Sequence, residues 1–194
     1  MSGNNAAVMT DPVTDMNKAR LHTLRAQAKA MCTDLESRTR ALTADQYMAL
    51  LKTAGGDDAN IDPSELQGKE GFFITSNLDT HGQRDLAMNR VLGVAQMLNL
   101  DESSNCAMDG LVYVGDNIMA RQCADITLKA LNYANGAIDM DGSLRVSAPS
   151  VLFVEGYTNM CRGESILFGD KNICIAGPSY CINHGSNGTS YIVS

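Results

Sequence analysis

The residues best equipped for chemistry crowd into one late stretch. "NICIAGPSYCINHGSNG", residues 172–188, holds Cys174, Cys181 and His184, with Cys161 just upstream. Three thiolates and an imidazole would suit a tetrahedral zinc ion. Structural zinc sites usually draw their ligands from two tight pairs, and here only Cys181 and His184, spaced C-x-x-H, are tight. Free cysteine is among the most buried residue types. The spacing therefore favours packing positions in a β-rich segment, and neither a metal nor another cofactor is expected.

A nucleophilic cysteine with a histidine base is the second chemistry to weigh. Cys106 in "SSNCAMDGLVYV" resembles the Asp-Cys-Ser-Gly-Leu-Val stretch of cell-wall peptidases. The departures are plain: Ala107 stands where the Ser would be, and Met108-Asp109 intervene before Gly110-Leu111-Val112. The resemblance implies Cys106 as nucleophile with His184 or His81 as base. Neither a G-x-S-x-G elbow nor a His-Glu-x-x-His pair occurs. In "DANIDPSEL", Asp58, Asn60 and Asp62 alternate as in a calcium loop, but Pro63 takes the place of its glycine and Lys69 that of its bidentate Glu. A polar turn in which Asp62-Pro63 opens a short helix around "SELQ" accounts for these residues better. No Gly-rich phosphate loop precedes a helix, and Asn187-Gly188 is expected as a hairpin turn.

The elements that must position these residues follow from hydrophobic spacing. "TDMNKARLHTLRAQAKAMCTDLESRTRALT" predicts a long helix capped by Thr14 or Asp15, with a narrow apolar seam of Leu21, Leu24, Ala28, Met31, Leu35 and Leu42 that Arg38 interrupts. Lys18, His22, Arg25 and Lys29 form a basic stripe on another face. "TADQYMALLKTAGG" predicts a second helix capped by Thr43. "GFFITSN" and "GLVYVGDN" predict strands. "HGQRDLAMNRVLGVAQMLNL" and "IMARQCADITLKALNYANG" show three- and four-residue apolar spacing, which predicts two further helices. From about residue 137, short apolar runs alternate with Gly, Asn, Asp and Pro, the pattern of antiparallel strands and tight turns. No internal repeat of a familiar period stands out. The expected fold is α+β: a helical arm or hairpin over residues 1–55, then a body over 56–194 with a mixed α/β middle and an antiparallel β-rich end.

Composition bounds the function. The 194 residues carry a net charge of −7. Residues 1–55 hold seven Lys/Arg against five Asp/Glu, and residues 56–194 hold eight against seventeen. An acidic body disfavours nucleic acid as a partner. No apolar run is long enough to span a membrane, and no signal peptide opens the chain, so a cytoplasmic protein, or one incorporated into a virion or secreted assembly, is expected. The residues lead to a non-enzymatic, self-associating subunit of a virion, filament or secretion apparatus. Its protein contacts are expected through Leu21, Leu24, Ala28, Met31 and Leu35 and through the last strand, Tyr191, Ile192 and Val193. The alternative is a small secreted cysteine hydrolase using Cys106 and His184.

Overall fold

The computed structural model describes residues 12–128, 131–141, 145–148, 152–156, 158–160, 165–168, 173–175, 179–182 and 190–192. Helix α1 (Pro12–Thr33) breaks at Asp34 and resumes as the single turn α2 (Leu35–Arg38). Strand β1 (Arg40–Leu42) and helix α3 (Ala44–Thr53) follow. Thr43 caps α3 with a full capping box: its side chain accepts from the Gln46 amide at 3.2 Å, and Gln46 accepts from the Thr43 amide at 2.9 Å. Two short 3₁₀ turns, Asp58–Asn60 and Pro63–Leu66, lead into the sheet region.

Among the described residues, everything after residue 70 is strand and corner. The chain runs through β2 (Gly71–Ile74), β3 (Leu78–Asp79) and β4 (Ala87–Met88), and then repeats the circuit. The second coil is β5 (Val91–Val94), β6 (Leu98–Asn99) and β7 (Ser104–Met108). The third is β8 (Val112–Val114), β9 (Ile118–Met119) and β10 (Ala124–Leu128). The fourth is β11 (Asn132–Ala134), β12 (Ile138–Asp139) and β13 (Arg145–Ala148). Then come β14 (Leu152–Val154), β15 (Thr158–Met160) and β16 (Ser165–Phe168), and finally β17 (Ile173–Ile175), β18 (Ser179–Ile182) and β19 (Ser190–Ile192).

Each strand pairs in parallel with its counterpart one coil away. Phe72 lies opposite Leu92, Leu92 opposite Val112, Val112 opposite Asn132, and Asn132 opposite Leu152, a step of twenty residues each time. The result is three parallel sheets. One runs β1-β2-β5-β8-β11-β14-β17-β19, the second β18-β15-β12-β9-β6-β3, and the third β16-β13-β10-β7-β4. This is a parallel β-solenoid with a helical N-terminal cap. It overturns the expected α+β fold with an antiparallel end. The runs expected as antiparallel strands (around residues 145, 152, 165, 173 and 190) are strands, but every one pairs in parallel. The expected hairpin at Asn187-Gly188 fails too: those two residues lie outside the described set, but β19 pairs with β17, not with β18.

The two expected central helices are also overturned, for a physical reason. Inward residues come in i, i+2 pairs, one pair per sheet: Leu86/Met88, Leu92/Val94, Leu98/Leu100, Cys106/Met108, Val112/Val114 and Ile118/Ala120, all buried. Corners separate the pairs, and the gaps from Met88 to Leu92 and from Val94 to Leu98 are four residues. A four-residue gap mimics one helical turn, although the backbone within each pair alternates as a strand does. Asn117, just ahead of the second of these runs, serves a corner: its Oδ1 accepts from the Ala137 amide of the next coil at 2.7 Å.

Corners repeat as faithfully as strands. Gly82, Glu102 and Gln122, twenty residues apart, all adopt left-handed backbone angles, as do Asp85 and Asn105 at the next corner. Just before the first set, Asp79, Asn99 and Asp139 each accept the amide two residues on, at 3.0–3.1 Å. Close stacking also dictates Gly71, where an added Cβ would sit 1.9 Å from the Val91 carbonyl oxygen. Gly71→Ala is therefore expected to lower stability by about 2 kcal/mol or more by forcing the first two coils apart, as read by urea denaturation.

Candidate functional site

Three places gather polar or reactive side chains. The first is the junction between the cap and the first coil. Asp58 is fully buried, and its carboxylate accepts from the backbone amides of Asn89 (2.6 Å) and Arg90 (3.1 Å) and from the Tyr47 hydroxyl (3.3 Å). Arg90 returns its Nε to the Asp58 carbonyl at 2.8 Å, and Asn89 donates to the Asp57 carboxylate at 2.7 Å. Burial pushes the Asp58 carboxyl up to about 6, against the opposing pull of those hydrogen bonds. Asp62 caps the second 3₁₀ turn through the Ser64 amide at 2.8 Å, so "DANIDPSEL" forms turns; Asp58 and Asp62 serve backbone amides and Glu65 pairs with Arg40. Among the described residues, no group of three His, Cys, Asp or Glu is arranged to hold a metal.

The second place is the set of thiols. Cys32, Cys106 and Cys123 are free and buried. Cys106 points inward from β7, and its thiol is pushed up, chiefly by burial. A nucleophile needs the opposite, an accessible thiol with a depressed pKa. Burial likewise pushes Cys32 up to about 11. Cys123 donates to the Leu100 carbonyl at 3.0 Å, filling the same corner position that Ser103 fills one coil earlier. Of the expected zinc set, Cys161 and His184 lie outside the described residues. Cys174 falls in β17 of the first sheet and Cys181 in β18 of the second.

The third place is a column of charge along one corner. His81, Asp101 and Arg121 stand at equivalent positions in successive coils. Arg121 donates two guanidinium nitrogens and its amide to the Asp101 carboxylate. Burial raises the Asp101 carboxyl, but the bonds and charge of Arg121 outweigh it and hold it below the usual carboxylate range. His81, exposed, lies 3.9 Å from Glu102. The column joins coils and leaves no unspent base beside a nucleophile.

The expected interface residues divide. Ala28 and Leu35 are buried, Met31 is 49% exposed, and Leu21 and Leu24 lie in α1 without described side chains. Tyr191 and Ile192 lie in β19, and Val193 is outside the described residues. Leu35 is held by a notch: an added Cβ at Gly93 would meet the Phe73 ring at 2.3 Å and the Leu35 Cδ2 at 2.8 Å. Gly93 thus interrupts an outward aromatic column of Phe73, Tyr113 and Tyr133 and admits Leu35 into the gap. The two tyrosine rings stack at 5.9 Å, and Tyr133 donates to Glu155. The signal that would have disclosed these columns is the twenty-residue repeat itself. No family model matches the chain, and neither a curated protein nor a solved structure matches it. Among the described residues no helix is long and apolar enough to cross a membrane.

The junction generates a pH dependence of definite sign. Folding raises the Asp58 pKa from an ordinary 3.8 to about 6. Its contribution to stability is therefore fully present below pH ~4 and is lost as pH rises through about 6, a span of about 3 kcal/mol. Asp58→Asn is expected to flatten that part of the stability-versus-pH curve. Asp58→Ala, which strands two part-buried amides, should cost about 3 kcal/mol at pH 4. Urea denaturation between pH 4 and 7 checks both.

Proposed function

We propose that this chain is a non-enzymatic structural subunit that self-associates, of the kind built into a virion, a filament or a secretion apparatus. The observation that carries this reading is the state of α1. Of its described side chains only Ala28 and Cys32 are buried, both near the C-terminal end, while Met31 is the exposed large hydrophobic among the described residues. Met31, in the three-and-four-residue seam expected from the sequence, is apolar surface of the helix that its own body leaves half exposed. The edge of β19, paired among the described residues on its β17 side alone, is a second contact in this reading. The use made of the reactive residues supports it: Cys106, Cys123, Asp58 and Asp101 all hold coils or cap together. The cysteine-hydrolase reading draws no support from Cys106, whose thiol is enclosed.

Size-exclusion chromatography with light scattering tests the proposal. Residues 35–55 supply core side chains, with Leu42, Tyr47 and Leu51 buried, so the informative truncation begins at Thr33 and removes little packing. The parent is expected to run as an oligomer at micromolar concentration. The 33–194 chain and Met31→Glu are expected to shift toward monomer, Met31→Glu with an unchanged circular dichroism spectrum and the 33–194 chain losing only the helical signal of α1. A monomeric parent, or an oligomer that neither change affects, would refute an interface on α1.

A further inference from the structure

Between α3 and the left-handed corner that precedes β4 lies a groove of about 560 Å³. Its floor is apolar, made of Met48 and Leu51 from α3 and Leu86 from the first coil. Lys52 and Arg84 stand on its rim. The spacing of the two walls is fixed by Gly56, which has a φ of 87° and a carbonyl that accepts from the Ala87 amide at 2.8 Å. An added Cβ there would sit 2.6 Å from the Asp85 carbonyl oxygen, so only glycine brings the end of α3 this close to the corner.

The two rim cations set this groove apart. Arg38 and Arg121 are bound to carboxylates, Arg40 to the Glu65 side chain, and Arg90 to the Asp58 carbonyl. The side chains of Arg84 and Lys52 have no hydrogen bond or ion pair among the described residues. The nearest rim carboxylate, Asp85, accepts from the Asn105 side-chain amide at 2.6 Å. An apolar trough bordered by two unspent cations is complementary to an aliphatic chain that ends in an anion. The surrounding charge sharpens the argument. A chain of net charge −7 repels anions at large, so an anion held here owes its binding to the local pair.

We infer that this groove is a binding site for an aliphatic carboxylate, whose alkyl chain lies along Met48, Leu51 and Leu86 and whose carboxylate is held by Arg84 and Lys52. The site is independent of the contacts assigned to α1, so the two readings fail separately.

Octanoate, octan-1-ol and acetate are the probes, titrated into the full-length ¹⁵N-labelled protein and followed by amide chemical shifts. Octanoate is expected to saturate, with perturbations centred on residues 48–56 and 83–87. Octan-1-ol should bind the same residues about tenfold more weakly, because it lacks the charge that Arg84 and Lys52 recognise, and acetate should not saturate. The Lys52→Gln/Arg84→Gln double variant changes only exposed residues. It should lose about tenfold in octanoate affinity while its octan-1-ol affinity stays unchanged. Ala49→Glu, which sets a carboxylate on the exposed face of α3 beside the groove, should weaken octanoate binding by a similar factor. The inference is overturned if octanoate shifts scatter over the surface, if acetate reproduces them, or if the double variant binds octanoate as the parent does.

Discussion

The fold depends on one constraint: each coil must satisfy its backbone on the coils above and below it. In a parallel solenoid the N–H and C=O groups of a strand point along the stack, so a register slip anywhere would leave buried polar groups unpaired. Fixed register holds the coil at twenty residues from β2 to β14, and that constant length brings equivalent residues into columns. The stacked leucines and isoleucines at 78, 98, 118 and 138 are one product, all buried. The left-handed corners at 82, 102 and 122 and the charge column through Asp101 and Arg121 are others. Side chains that would elsewhere suggest a site are here spent on keeping one coil above the next.

Such a stack has to be closed at its first coil. β1 pairs with β2 along its full length, Arg40 opposite Phe72 and Leu42 opposite Ile74, and α3 lays Tyr47 and Leu51 over the end of the core. The amides of Asn89 and Arg90 fall where the first coil turns into the second. A buried carboxylate is a costly way to satisfy them, which is why the Asp58 pKa rises despite three donors. The arrangement couples the helical cap to the solenoid at one point, and it explains why Asp58, Asn60 and Asp62 resemble a cation loop in sequence without forming one. Asp58 and Asp62 bond backbone amides where the chain turns from a helix into a sheet.

Much of the cap was legible in the sequence: Thr43 announced the start of a helix, and Asp62-Pro63 announced a short helical turn. The strands at Gly71–Ile74 and Val112–Val114 were legible as well, because aromatic and β-branched residues run together there. The rest was hidden by two effects. Corners set the apolar pairs four residues apart, so 86–98 and 118–133 carry helical spacing without helical structure. The repeat is also degenerate: position 72 and its successors read Phe, Leu, Val, Asn, Leu, and position 79 and its successors read Asp, Asn, Met, Asp, Asn. Columns select for shape and hydrogen-bonding capacity rather than for residue identity, so the period shows only when the chain is written in rows of twenty. Cys106 was misleading for a related reason, since its role is that of a small inward apolar residue one coil below Ile126.

The twenty-residue coil is the claim on which the cap, the columns and the reading of every reactive residue rest. Backbone-proton nuclear Overhauser effects on the labelled protein test it most directly. Connectivities are expected between residues one coil apart, such as Leu92 with Val112, Leu98 with Ile118 and Ala107 with Thr127. Helical i, i+3 connectivities across residues 86–98, or hairpin contacts between neighbouring strands, would contradict the account.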